Sequence, residues 1–125
     1  MRTAVVVLQW IVRLCFAGLL ILGIAFWTGH AFSLIPLHMT LGIALVVGLW
    51  ISAILGFAAR VSIGQSLSAI VWGLVVVGLG MSQARLLPGS SHWIIQVLHL
   101  LVGMAAIGMN EGLARAITAK GVQES

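Results

Sequence analysis

Four apolar runs, separated only by short breaks, occupy nearly the whole of this chain and constrain its fold more than any other feature. A helix rising about 1.5 Å per residue crosses a hydrocarbon core of about 30 Å in about 20 residues, and each run is at least that long. Only 6% of the residues are charged and 62% are hydrophobic, against roughly 25% charged in a soluble domain. Lipid, not water, is therefore the expected solvent. The expectation is an all-α, single-domain bundle over residues 1–125, with transmembrane helices at 3–29, 36–59, 63–85 and 91–119. Little chain is left for a soluble catalytic domain, so any chemistry belongs inside the bundle or at its rim.

The breaks carry turn chemistry. Pro36 suits the first turn of the second helix, where its missing N–H is harmless, and Pro88-Gly89-Ser90-Ser91 reads as a turn leading into N-caps for the fourth. Arg2, Arg60, Arg115 and Lys120 fall at one end of the bundle, against Arg85 alone among basic residues at the other. By the positive-inside rule both termini are expected in the cytoplasm of a multi-pass cell-membrane protein. The apolar run after Arg2 is long for a signal peptide and shows no small-x-small cleavage site, so it is read as a membrane helix. The net charge of +4 is dispersed, with no basic patch for nucleic acid. Cys15 is the sole cysteine, which excludes an internal disulfide and a CxxC pair; in an apolar helix it reads as a small core residue.

The chain also repeats itself. Leu37-His38-Met39-Thr40-Leu41-Gly42-Ile43-Ala44 and Leu98-His99-Leu100-Leu101-Val102-Gly103-Met104-Ala105 both read LHxxxGxA. The preceding helices match more weakly, Gly18-Leu19 to Gly23 and Gly73-Leu74 to Gly78 both reading GLxxxG. A duplicated helical hairpin follows, with a pseudo-twofold axis along the membrane normal that brings His38 and His99 face to face at equal depth.

An imidazole in an apolar helix is costly unless its ring nitrogens find partners. An interhelical hydrogen bond is the simpler use of such a pair. A haem fits the symmetry better: neutral imidazoles on opposite helices can ligate iron from above and below. Gly42 and Gly103, four residues on and on the same helical faces, would give a flat macrocycle room; ordinary small-residue packing is their alternative role. Zinc or copper fits less well, since the outer face offers no carboxylate or thiolate. His30, Arg85 and His92 lie at the rim, where haem propionates would meet them; a second metal on His30 and His92 is a weaker reading, and Arg85 can equally snorkel to water. Trp27 and Trp93 read as interfacial anchors and Met39, Met81, Met104 and Met109 as packing residues.

Toward the other end, Glu111 needs a cation, either Arg115 on its own helix, Arg13 across the bundle, or both. A structural clamp is the expected role, ahead of a proton or quinone site.

The two histidines, their flanks and the repeat resemble the four-helix half of a haem A synthase and, more loosely, the small membrane cytochromes b. The resemblance implies one haem held by His38 and His99. Where that family carries a glutamate three residues before the first histidine and often an arginine after it, this chain has Ile35 and Met39. Oxidation of a haem methyl group is therefore not expected, and the expected function is a bis-histidine haem b carrier of electrons in membrane lipid. Its exchange partners would be a quinone, a periplasmic carrier or a larger redox complex; self-association is also open. The rival readings are an accessory subunit that merely packs in a larger complex, and a small-solute transporter or channel component, which the scarcity of polar mid-membrane residues disfavours.

Overall fold

A computed structural model describes residues 2–123 and the side chains of residues 2–121. Among these residues the chain forms four α-helices, α1 (Arg2–Trp27), α2 (Ile35–Ala58), α3 (Ile63–Ser82) and α4 (His92–Gln123). Short 3-10 turns at Phe32–Leu34 and Gln83–Arg85 lead into α2 and out of α3. All four helices are long and apolar enough to cross a membrane. Helices are what such runs must form in lipid, because only intrahelical hydrogen bonds satisfy a backbone that no water can reach. The expected boundaries hold to within two residues except at the end of α3, which stops at Ser82 with a 3-10 turn carrying the chain to Arg85, and at the end of α4, which continues beyond residue 119 to Gln123.

The connections are tight. Each holds a non-glycine residue in the left-handed region, Ala31, Arg60 and Leu87, and Gly29 and Gly89 take the same region without the steric cost a Cβ brings. Pro36 sits in the first turn of α2, as its chemistry requires. Reversing at every connection, the chain puts the α1–α2 and α3–α4 loops at one end of the bundle, here the hairpin end. The α2–α3 loop, the start of α1 and the end of α4 lie at the other, the terminal end.

Both α2 and α4 pack against all three other helices, so they meet across the middle while α1 and α3 flank them. Lipid removes most of the hydrophobic drive for association, and close approach relies on small residues. A Cβ at Gly48 would stand 2.5 Å from Val12 Cγ2, one at Gly56 would stand 2.7 Å from Ser66 Oγ, and Gly73 lies directly beneath the Trp50 indole. Two tryptophans stitch neighbouring helices by donating N–H to main-chain carbonyls, Trp50 to Ile70 at 3.1 Å and Trp72 to Val102 at 2.9 Å.

Packing is uneven along the membrane normal. The core cluster, which includes Val5, Val12, Cys15, Leu45, Val46, Leu49, Ala53, Ala69, Ala106, Leu113, Ala114 and Ile117, fills the terminal half. Beyond Cys15, Leu45, Gly73 and Ala106 toward the hairpin end, only Ile95 and Val102 are buried among the described residues. Cys15 is buried, as expected of a core residue. Three of the methionines are not packing residues: Met39, Met81 and Met104 face outward on the lipid side, and only Met109 lies against the core. In lipid an outward methionine carries no penalty, so apolar character alone does not place it inside.

Candidate functional site

His38 begins the second turn of α2 and His99 lies two turns into α4, about 5 Å and about 10 Å below their helix starts at about 1.5 Å per residue. The fold brings them together: their ring centroids are 6.3 Å apart with the planes inclined by 43°. Both side chains are partly buried. Nδ1 of each ring is sealed from its surroundings and has no hydrogen-bond partner among the described residues. Phe26 of α1 meets His38 edge-on with centroids 5.4 Å apart, and stacks in turn on Phe32.

The glycines nearest these rings lie on the helices that precede α2 and α4. A Cβ at Gly23 on α1 would lie 4.0 Å from His38 Cε1, and one at Gly80 on α3 would lie 3.4 Å from His99 Cε1. Gly42 instead faces Leu19 of α1, and Gly103 meets no neighbour, leaving bare backbone one turn beyond His99. The sequence match paired Gly23 with Gly78, yet Gly78 also faces open space and its structural counterpart is Gly80. The repeat thus locates the histidines, while the flanking helices sit two residues out of its register. Each ring is approached by the helix preceding its own, within its own hairpin, more closely at Gly80 than at Gly23.

At the rim, the expected residues are tied to their own loops. His30 Nδ1 lies 3.2 Å from Thr28 Oγ1, and His92 Nδ1 lies 3.1 Å from the Leu86 carbonyl oxygen. Arg85 ends the 3-10 turn after α3 and is exposed. No group of three or more histidine, cysteine or acidic side chains converges on a common point among the described residues.

The second polar site lies in the terminal half. Arg13 of α1 grips Glu111 of α4 through two bonds, Nε to Oε1 at 2.7 Å and Nη2 to Oε2 at 2.8 Å. Gln9, one turn earlier on α1, donates to Oε2 at 2.9 Å, a partner that sequence reading missed. The Trp10 ring lies 5.1 Å from the Arg13 guanidinium and covers it on the lipid side. Of the two expected cations, the cross-bundle one makes the ion pair; Arg115 does not join it. Beside the clamp, Ser52 of α2 donates to Asn110 of α4 at 2.6 Å in a fully buried bond.

Comparison of the chain with protein-family models, with curated proteins and with solved structures returned no match, so the residues themselves carry the functional argument.

Proposed function

We propose that this chain is a membrane haem b protein that carries electrons through a haem ligated by His38 and His99. The observation that carries the reading is the separation of the two rings. A metal–nitrogen bond of about 2 Å, with about 1 Å more from nitrogen to ring centre, places two imidazoles on opposite sides of one metal about 6 Å apart. A direct in-line hydrogen bond of about 2.9 Å would bring the centres to about 5 Å. The observed 6.3 Å matches the first arrangement. Neither ring spends its Nδ1 on a hydrogen bond to the protein, so no neighbouring group accounts for the facing pair.

The surroundings fit a flat macrocycle. The hairpin half of the bundle is the sparsely packed half, and Gly103 leaves bare backbone beside His99. Phe26 packs edge-on against the His38 ring, and Gly80, lacking a side chain, leaves the His99 ring its place beside α3. Arg85, His30 and His92 are the polar groups at the hairpin rim available to carboxylates pointing out of the bundle. A haem bound there supplies a one-electron iron couple, and the protein's contribution is ligation, orientation and exclusion of water. With Ile35 and Met39 flanking His38, no acidic or basic group stands beside it on α2 to assist oxygen chemistry on the ring. The excess of Arg2, Arg60, Arg115 and Lys120 at the terminal end supports both termini in the cytoplasm, with the histidines nearer the opposite face. Electrons would exchange there with a quinone, a periplasmic carrier or a larger redox complex.

A pyridine haemochrome spectrum of the purified chain tests the reading. A b-type spectrum is expected from the parent protein and from His30→Ala, and its loss from His38→Ala and from His99→Ala. A parent chain that takes up no haem after supplementation overturns it and leaves the accessory-subunit reading standing. Equal loss in all three variants would show that the ligands are misassigned.

A further inference from the structure

An open groove lies on the side of the bundle at the terminal end, away from the histidine pair. Gln9 of α1 and Ala114, Arg115, Thr118 and Ala119 of α4 line this groove of about 350 Å³ beside the Arg13–Glu111 clamp. The chain holds two acidic residues in all. One of them, Glu111, is already gripped by Arg13 through both carboxylate oxygens. Arg115, one turn further along α4, makes no ion pair among the described residues and is exposed. The clamp and Arg115 together therefore carry one surplus positive charge, and the groove is where it is presented.

The lining matches a phosphate ester that brings its own acyl chains. Arg115 offers the bidentate donor fork that suits phosphoryl oxygens. Gln9 spends one amide N–H on Glu111 and keeps the other for a ligand. The Thr118 hydroxyl is committed to the Ala114 carbonyl at 2.8 Å, so it closes the groove wall instead of competing for the anion. Ala114 and Ala119 leave a shallow apolar floor. Arg115 lies six residues before the end of the span His92–Gly121, about 9 Å along a helix, so its long side chain can snorkel to a headgroup layer at that end.

We propose that this groove binds the phosphoryl headgroup of an anionic phospholipid, with Arg115 as the principal contact and Gln9 as the second donor. Its natural occupant is a lipid of the leaflet facing the terminal end, not free phosphate.

Native mass spectrometry of the intact chain, released from detergent with equal amounts of phosphatidylglycerol and phosphatidylcholine, tests it. A basic side chain near a membrane surface is worth about 1 kcal/mol toward an anionic lipid, so the parent should retain the anionic lipid with about fivefold preference. Arg115→Gln should bring the preference to near parity, whereas Lys120→Gln, which removes the same charge outside the groove, should leave most of it. Ala119→Phe fills the groove while keeping every charge and should also abolish the preference, which preserves the test if Arg115→Gln fails to fold. Equal loss in Arg115→Gln and Lys120→Gln would overturn the site in favour of diffuse surface attraction. Displacement of the lipid by millimolar inorganic phosphate would overturn the lipid assignment.

Discussion

Two polar sites sit in one bundle and are treated in opposite ways. In the terminal half, both oxygens of Glu111 are bonded to Arg13 and Gln9 adds a third donor, the pair lying half-exposed at the edge of the core. In the hairpin half, His38 and His99 face each other at 6.3 Å with a sealed Nδ1 on each ring unpartnered, in the part of the bundle where few side chains are buried. A polar group that the protein itself satisfies holds helices together. Lack of a partner alone does not set the histidines apart, because Ser66 Oγ and Asn110 Nδ2 in the terminal half are also buried without one; the facing of two such rings does. Both sites join α4 to another helix; the ion pair's groups bond each other directly, and the two rings do not.

Substitutions sharpen that contrast. The largest effect is expected from Glu111→Ala, which strands Arg13 within the membrane span and should lower the thermal midpoint by many degrees while leaving the haem spectrum of the surviving folded protein unchanged. Altered haem ligation in that variant would break the separation between the two sites. Next comes Gly80→Val, whose side chain would crowd His99 from 3.4 Å; haem affinity should fall by about tenfold. Gly78→Val, two residues away and facing open space, should bind haem as the parent does, and equal losses would show that Gly80 matters only to the helix. Ser52→Ala removes the 2.6 Å bond to Asn110 and should destabilise by about 1 kcal/mol in reversible unfolding, the scale of interhelical hydrogen bonds in membranes. The smallest effect is expected from His99→Leu in haem-free protein. Replacing an unpartnered imidazole by an apolar side chain should leave stability unchanged or raise it by up to about 1 kcal/mol. A marked loss of stability would show that the histidine pair is a structural contact after all, like its counterpart at the terminal end.

Much of the architecture was legible in the residues. The lengths of the apolar runs set four helices, because a backbone in lipid has no other way to satisfy its hydrogen bonds at this length. Pro36 and the Pro88-Gly89 turn set two of the breaks, and the LHxxxGxA repeat singled out the histidine pair. Cys15 as a core residue and the need of Glu111 for a basic partner followed from burial and charge alone. Which cation answered Glu111 did not: Arg115 on the same helix and Arg13 on another are equally good in sequence, and only the distance between α1 and α4 selects Arg13. Gln9 was invisible for the same reason, since an uncharged residue in an apolar run gives no signal of where its amide will reach.

The sequence by itself determined how many helices there are, where the chain turns and which residues have chemistry to offer. The tertiary structure alone decided which faces meet: that Gly23 and Gly80, not Gly42 and Gly103, lie against the rings, that Trp50 and Trp72 reach across to neighbouring helices, and that the outward methionines leave the core. The physical reason is the solvent. A helix in water advertises its buried face by an apolar stripe, but a helix in lipid is apolar all round, so its rotation about its own axis is set by packing and hydrogen bonds that appear only when the helices come together.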